Sequence, residues 1–472
     1  EKAAEVIESG EDVGIGTLGV ILVDEFQDLS CSEYRMLKAL YEYGDKPPRL
    51  IAVGDDDQSI FEFRGSSSEY FRKFSTEFPN TKEFYLTNNY RSAVNLVRAN
   101  EDLLSYLNYR VKDGKKQVAV KPEIGMLEFY EEHDRTRGAF ASAEILVQKC
   151  KSDNGTACIL SPENSESFLA AAKLEELGVD CRVIKGQDWE KCPVESVREI
   201  FGFKTIVEAD KNFVEKPWTT EQFKRIAEKY KKDHEGESPF ELLDAVINDF
   251  VDGEEELTLG DFEQYLNDVS YADLNKKGNM QINVGTMHSS KGLEWDHVIL
   301  NLGDWKPETQ EQIRLLYVAA TRAKKSLTVL GSVANLPNSW IKNFKNMGRL
   351  KECRVPRIVH VETGLDDLVF RYMLVNEKNK SRTRYLQEKF ASIPLSAAFE
   401  IKFNQEFQCF NTYFNGRYVT KFSNKFEKDY LRNLQKNFFK PQTAKLIQVC
   451  KWEDEFGQAI WVPLLSVEFV KS

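Results

Sequence analysis

The sequence predicts an α/β protein built on parallel sheets, with a helical insertion and a small β-rich domain at its C-terminal end. Three observations carry that prediction. Two short apolar runs, 20–23 and 50–53, end abruptly in acids, as strands of a buried parallel sheet do at their carboxyl edge. Helix-period and strand-period segments then alternate over 134–184, the pattern of βαβ units. The last third turns to aromatic-rich strands, with Asn415-Gly416 at the tip of a hairpin, the strongest short signal for such a turn.

A length of 472 residues suggests about three domains with sizeable cores. With 42% hydrophobic and 29% charged residues, the composition is that of an ordinary globular chain. No apolar run approaches the roughly 18 residues that cross a bilayer, which leads to the expectation of a cytoplasmic protein with no membrane partner. The first residue is Glu1 rather than Met, as expected of a fragment or a processed product. Eight cysteines are scattered without a CxxC pair, so the expectation is reduced thiols, with neither a zinc site nor a disulfide framework. The net charge of −11 argues against a simple nucleic-acid-coating protein. Its distribution is uneven: residues 341–472 hold 23 Lys and Arg against 14 Asp and Glu, and the rest of the chain holds 41 against 61. Such asymmetry points to a basic terminal region that can touch phosphate, or simply to two solvated surfaces.

The stretch GVILVDEFQDLS, residues 19–30, organises the chain. Its apolar run reads as a strand buried on both faces, and Asp24 and Glu25 follow at the sheet edge, where ligands bind in open α/β folds. One acid there can hold a hydrated Mg²⁺ while its neighbour polarises a water for in-line attack on a phosphate. The spacing of Tyr34, Leu37, Leu40 and Tyr41 predicts a helix over 31–43, stopped by Gly44, before the second strand. Residues 14–17 superficially suggest a glycine-rich loop but lack the Lys-Ser/Thr pair that neutralises phosphate, and read as a plain loop. Further helices are expected at 93–107, 134–151 and 165–177, with strands at 157–160 and 181–184. From about 192 to 277 strand signals vanish, and helical patterns occupy 221–232, 239–250 and 259–274. Strands return at 281–285, 298–302 and 326–330, with a helix ending just before Arg322.

Five strings now gain meaning together: DEFQD at 24–28, GDDDQSIFEFRG at 54–65, NNYRS at 88–92, TMHSSKGLEW at 286–295 and QIRLLYVAATRAKK at 312–325. In order and spacing they resemble motifs II to VI of superfamily 1 helicases of the UvrD/Rep/PcrA type, across about two-thirds of the chain. The resemblance implies RecA-like P-loop NTPase lobes that close on ATP and Mg²⁺. By resemblance, Asp24 holds Mg²⁺ and Glu25 is the catalytic base. Gln58 senses the γ-phosphate, Arg91 and Arg322 reach it, and Glu294 accepts hydrogen bonds from the ribose. Phe61, Phe63 and Arg64 lie against single-stranded DNA, with Phe63 where the family usually has Trp; stacking and phosphate contacts suit that role. Thr286 and His288 sit near the DNA backbone, and Lys291 pins its loop.

The implied division is a partial first lobe (1–85), a second lobe in two parts (86–191 and 278–335), a helical insertion (192–277) and a C-terminal extension (336–472). The implied function is the C-terminal portion of an ATP-dependent helicase that translocates on single-stranded DNA and unwinds duplexes. No GxxxxGK[ST] string occurs, so this Walker A loop is expected upstream in the same polypeptide, and the chain alone is expected to be inactive. The other reading is an ATPase-inactive DNA-binding or scaffolding module that keeps the helicase fold.

The resemblance does not reach residues 336–472. There, strands at 444–451 and 459–470 follow the hairpin and a helix at 425–438, giving a small domain that could close as a barrel. Tyr413, Tyr418 and Phe422, interleaved with Arg417, Lys421 and Lys425, read either as a nucleic-acid surface or as a core face with a basic outer face. Glu400-Ile401-Lys402, with Asp366 and Asp367 upstream, has the spacing of a Mg²⁺-dependent nuclease core, and equally that of any exposed strand.

Overall fold

The computed structural model describes residues 2–9, 18–44, 46–62, 69–111, 116–153, 155–184, 217–233, 282–350, 353–364, 380–390, 397–453 and 459–471, together with residues 16, 65–66, 114, 247, 250–251, 257–258, 261–262, 265, 367–369, 372–373 and 393. The chain divides into two compact units, Glu1–Pro162 with Gly285–Cys353 and Glu163–Val284 with Arg354–Ser472.

After a short helix, Lys2–Glu8, the first unit forms a two-stranded parallel ladder, Val20–Val23 against Arg49–Ala52. Burial on both faces is not what forms. Ile21, Val23, Leu50 and Ala52 pack on a core of Phe26, Tyr34, Leu37 and Phe78, while Leu22 is 73% exposed and Val20, Ile51 and Val53 are exposed beside it. The cause is the strand period of two: alternate side chains point to a face that no described element covers. Helix Cys31–Glu42 starts at a capping box, where Ser30 Oγ accepts from Glu33 N–H and the Glu33 carboxylate accepts from Ser30 N–H at 2.7 Å. Phe26 holds this layer together by edge-on contacts with Tyr34, Phe71 and Phe74.

The main sheet of this unit is parallel, in the order Lys345–Arg349, Met126–Glu131, Ala323–Gly331, Trp295–Gly303, Ala157–Ser161. Its central strands are almost wholly buried around apolar runs such as Val298–Leu300, as a sheet covered on both faces demands. Helix Arg135–Ser152, capped by Asp134 accepting from Thr136 and Arg137 N–H, packs across it. Helix Val94–Leu104 is shorter than the expected 93–107. Helix Gln310–Ala320 ends just before Arg322, as expected, and the next strand begins at Ala323, so Lys324 and Lys325 lie on the sheet.

In the second unit, helix Asn164–Glu176 sets Phe168 edge-on to Tyr430 at 5.7 Å. Helix Thr220–Asp233 matches the first insertion pattern. The patterns at 239–250 and 259–274 lie almost entirely outside the described residues. Six antiparallel strands follow the order Ile358–Glu362, Ala459–Lys471, Phe439–Glu453, Ala398–Asn404, Cys409–Phe414, Arg417–Lys421. Asn415 and Gly416 both take positive φ, 49° and 71°, as a two-residue hairpin of the right twist requires. The described sheet is open, not a closed barrel, because its two end strands do not pair with each other. Phe422 is fully buried and belongs to the core. Among the described residues no helix is long and apolar enough to cross a membrane.

Candidate active site

The strand Val20–Val23 delivers Asp24 and Glu25 to its carboxyl end, both exposed. Glu25 adopts a left-handed conformation (φ 47°, ψ 43°), a costly backbone for a non-glycine residue. Two hydrogen bonds from main-chain N–H groups flank it: Glu25 N–H donates to the Asp24 carboxylate (Oδ1) at 2.8 Å, and Phe26 N–H donates to the Val53 carbonyl at 2.9 Å.

From Glu25 a line of polar groups runs inward. The Gln27 amide, 1% exposed, donates to Glu25 Oε2, and its carbonyl oxygen accepts from Asp55 N–H at 2.9 Å. Only glycine fits at position 54 beside it, since a Cβ there would lie 2.5 Å from Gln27 Oε1 and 2.7 Å from the Phe71 ring. Asp55 Oδ2 accepts from Gln58 Nε2 at 2.8 Å, and Gln58 Oε1 accepts from Arg322 Nη2 at 3.2 Å. Arg322 is 2% exposed, and its guanidinium also donates to the carbonyls of Val318 and Leu293 and to Thr321 Oγ1. Burial, with Arg91 nearby, pulls its pKa down to about 10, so it stays charged at neutral pH. Residues 297 positions apart are thus joined through four hydrogen bonds.

Lys291 makes a second bridge. Its ammonium sits 2.5 and 2.6 Å from the Asp28 oxygens, 3.0 Å from the Gln58 carbonyl and 3.8 Å from Glu25, and lies 5.1 Å from the Phe61 ring centre. Arg91 turns to Glu294, its Nε 2.6 Å from Oε2, and Lys324 takes the other oxygen at 2.6 Å. Lys324 first, then Arg91, hold the Glu294 carboxyl below the usual carboxylate range. Thr286 Oγ1 accepts from Ser289 N–H while its own N–H donates to Ser289 Oγ, so its side chain is engaged in a local turn. His288 is partly exposed next to it, and Phe63 and Arg64 lie outside the described residues.

Two features carried no sequence signal. Asp57, fully buried, forms a two-pronged ion pair with Arg110 at 2.9 and 2.7 Å, and Asp56 accepts from Val111 N–H. Asp55, Asp56 and Asp57 stand close enough to hold a cation, but these hydrogen bonds already engage all three. Gln27 is legible as a motif letter, whereas its linking role is not. The Glu400–Lys402 pair is an exposed ion pair at 2.6 Å along one strand.

A parallel α/β fold with acids at a strand tip, linked to a buried arginine from another strand-and-helix layer, defines a RecA-like architecture. Family models agree: that of the UvrD/REP helicase N-terminal domain matches residues 17–79, and that of the UvrD-like helicase C-terminal domain matches residues 198–333. Both matches are to UvrD-like helicases, so the chain is similar to that group of superfamily 1 over these two segments. It is 26% identical over 394 residues to the Bacillus subtilis protein YjcD, named for an ATP-dependent DNA helicase, covering 65% of this chain and 51% of that protein. It is 33% identical over 175 residues to DNA helicase II of Escherichia coli, covering 35% of this chain and 23% of that one. UvrD1 of Mycobacterium bovis is 26% identical over 176 residues, covering 35% and 22%. The chain therefore spans about half the length of YjcD and less of the others. Among solved structures, the C-terminal domain of a possible DNA helicase from Lactobacillus plantarum overlaps 55% of this chain and 98% of that one, with a TM-score of 0.27 at 11% identity, too low to bear on the fold.

Proposed function

We propose that the chain is part of an ATP-dependent DNA helicase that couples ATP hydrolysis to movement along single-stranded DNA and to duplex unwinding. The observation that supports this most is the hydrogen-bonded line from Glu25 to Arg322. A strand-tip base and a charge-stabilising arginine, tied through Gln58, are the pair an in-line attack on a γ-phosphate uses. Glu25 is the base, Gln58 and Arg322 stabilise the phosphate, and Arg91 joins them by exchanging Glu294 for the nucleotide. Glu294, freed by that exchange, takes the ribose. Asp24, an exposed carboxylate at the strand tip, offers Mg²⁺ the hard oxygen ligand it prefers. The metal would neutralise charge on the β- and γ-phosphates. Phe61, Phe63, Arg64, Thr286 and His288 belong to the DNA track in the same reading, which keeps the five-part domain division and a cytoplasmic setting.

The exposed face of Val20, Leu22, Ile51 and Val53 supports the companion proposal that an upstream segment of the same polypeptide, carrying the phosphate loop, completes this sheet. The test is DNA-stimulated ATP hydrolysis by the complete polypeptide. Glu25→Gln is expected to lower kcat about 10²–10⁴-fold, and Arg322→Ala about 10³-fold or more. Variants whose ATPase rate matches wild type would remove Glu25 and Arg322 from these roles, and a complete polypeptide without DNA-stimulated ATP hydrolysis would leave the ATPase-inactive DNA-binding or scaffolding module standing.

A further inference from the structure

The second unit carries a stripe of alternating rings and cations that the ATPase reading does not use. On the sheet, Lys402 lies 4.9 Å from the centre of the Tyr413 ring, and Tyr413 packs edge-on to its strand neighbour Tyr418 at 5.8 Å. Arg382, from helix Lys380–Phe390, continues the stripe 5.2 Å from the Tyr418 ring and is fixed there by donating to the Tyr372 carbonyl. One turn along the same helix, Tyr385 is flanked by two cations, Arg417 at 3.9 Å and Lys389 at 5.9 Å. Arg417 and Lys389 are exposed and the rings partly exposed, so the charges stay open to solvent above rings that solvent still reaches.

The charge balance is local as well as regional. Helix Lys380–Phe390 has four bases against Glu388 alone, and residues 409–421 hold Arg417 and Lys421 with no acid. Among the described residues, Lys402 is the one cation of the stripe with an ion-pair partner, Glu400. An acidic protein surface would need the cations but not the rings. Rings repeated among cations suit a polymer with a flat group for every phosphate. We propose that this stripe binds single-stranded nucleic acid without sequence preference, the bases stacking on Tyr385 and Tyr413 and the phosphates pairing with Arg417 and Lys389. This is independent of the ATPase reading and survives its failure.

The test is fluorescence anisotropy of labelled oligothymidylate and oligouridylate, about 20 nucleotides long, with the full 472-residue chain. A Phe61→Ala background keeps the candidate active site from masking the result. Arg417→Glu with Lys389→Glu is expected to weaken binding about tenfold. It is also expected to flatten the slope of log K against log salt by about 1.4, at roughly 0.7 per lost phosphate contact on a single strand. Tyr385→Leu, which keeps apolar volume, is expected to weaken binding about fivefold or more. Photo-crosslinks are expected in peptides containing Tyr385 or Tyr413, and the tighter of the two oligonucleotides identifies the polymer. Unchanged affinity and salt slope in variants that keep their circular dichroism and melting temperature would overturn the proposal. So would poly-glutamate competing as well as the oligonucleotide does.

Discussion

Gln27 shows how much of the candidate site rests on one buried amide. It touches neither solvent nor, in the proposed reading, nucleotide, yet it holds the carboxylate of Glu25 on one side and the backbone of Asp55 on the other. Gln27→Ala is expected to lower kcat of the complete polypeptide about 10–100-fold while KM for ATP stays near wild type, as for a base that has drifted by about an ångström. Equal losses in kcat and in ATP binding would deny it a positioning role. Asp57 and Arg110 act on stability instead. With Asp57 fully buried, Arg110→Ala strands a carboxylate away from water, at an expected cost of about 3–5 kcal/mol in urea unfolding. The sign for Glu294 follows from its lowered folded pKa: the unfolded chain binds its proton first on acidification. Its contribution is therefore complete above the ordinary carboxylate value and drains away as pH falls through the folded one. Glu294→Gln is expected to flatten that acid limb in stability measured against pH. Glu25, Gln58 and Arg322 stand out in the sequence as motif letters, which the proposed reading explains by the few residue types that phosphate chemistry accepts. Arg110 does not stand out, since a buried ion pair 53 positions apart leaves no local pattern.

At the level of elements, what could be read was what short-range physics decides. The apolar runs 157–160 and 298–302, which fall inside strands Ala157–Ser161 and Trp295–Gly303, and the Asn415-Gly416 turn each answer to their own few residues. Burial does not. The run 20–23 has the composition of a strand covered on both faces, but coverage depends on neighbours that its own letters cannot announce. Helix-to-sheet distance is likewise set by a pair no pattern reveals. Gly138, inside helix Arg135–Ser152, lies so near strand Trp295–Gly303 that a Cβ would come 2.1 Å from Asn301 Oδ1. Asn301 is fully buried and its amide nitrogen donates to the Arg135 carbonyl, so it has little room to yield. Gly138→Ala, which elsewhere in a helix would be favourable, is expected here to cost about 1–3 kcal/mol, read as a lower denaturation midpoint. Restoring space with Asn301→Ala should recover part of that loss, which a general helix effect would not.

For the molecule as a whole, the unfinished surface is the ladder Val20–Val23 with Arg49–Ala52. Two parallel strands rarely stand alone in water, because such sheets are normally covered by helices on both faces. One face here packs on Phe26 and its neighbours; the other presents Val20, Leu22, Ile51 and Val53 side by side. The proposal that an upstream segment completes the sheet therefore has a physical consequence for the 472-residue chain by itself. It should self-associate with rising concentration and bind an apolar dye, despite a net charge of −11 that opposes aggregation. Leu22→Lys with Ile51→Lys should suppress both behaviours without lowering the melting temperature, since those side chains leave the core of Phe26, Tyr34 and Leu37 untouched. The same pair placed in the complete polypeptide should have the opposite effect, burying two charges and destabilising the fold. Sedimentation velocity and thermal melts on the two lengths of chain separate the outcomes. If the double lysine variant is silent in both, that face is ordinary surface and the sheet is already complete.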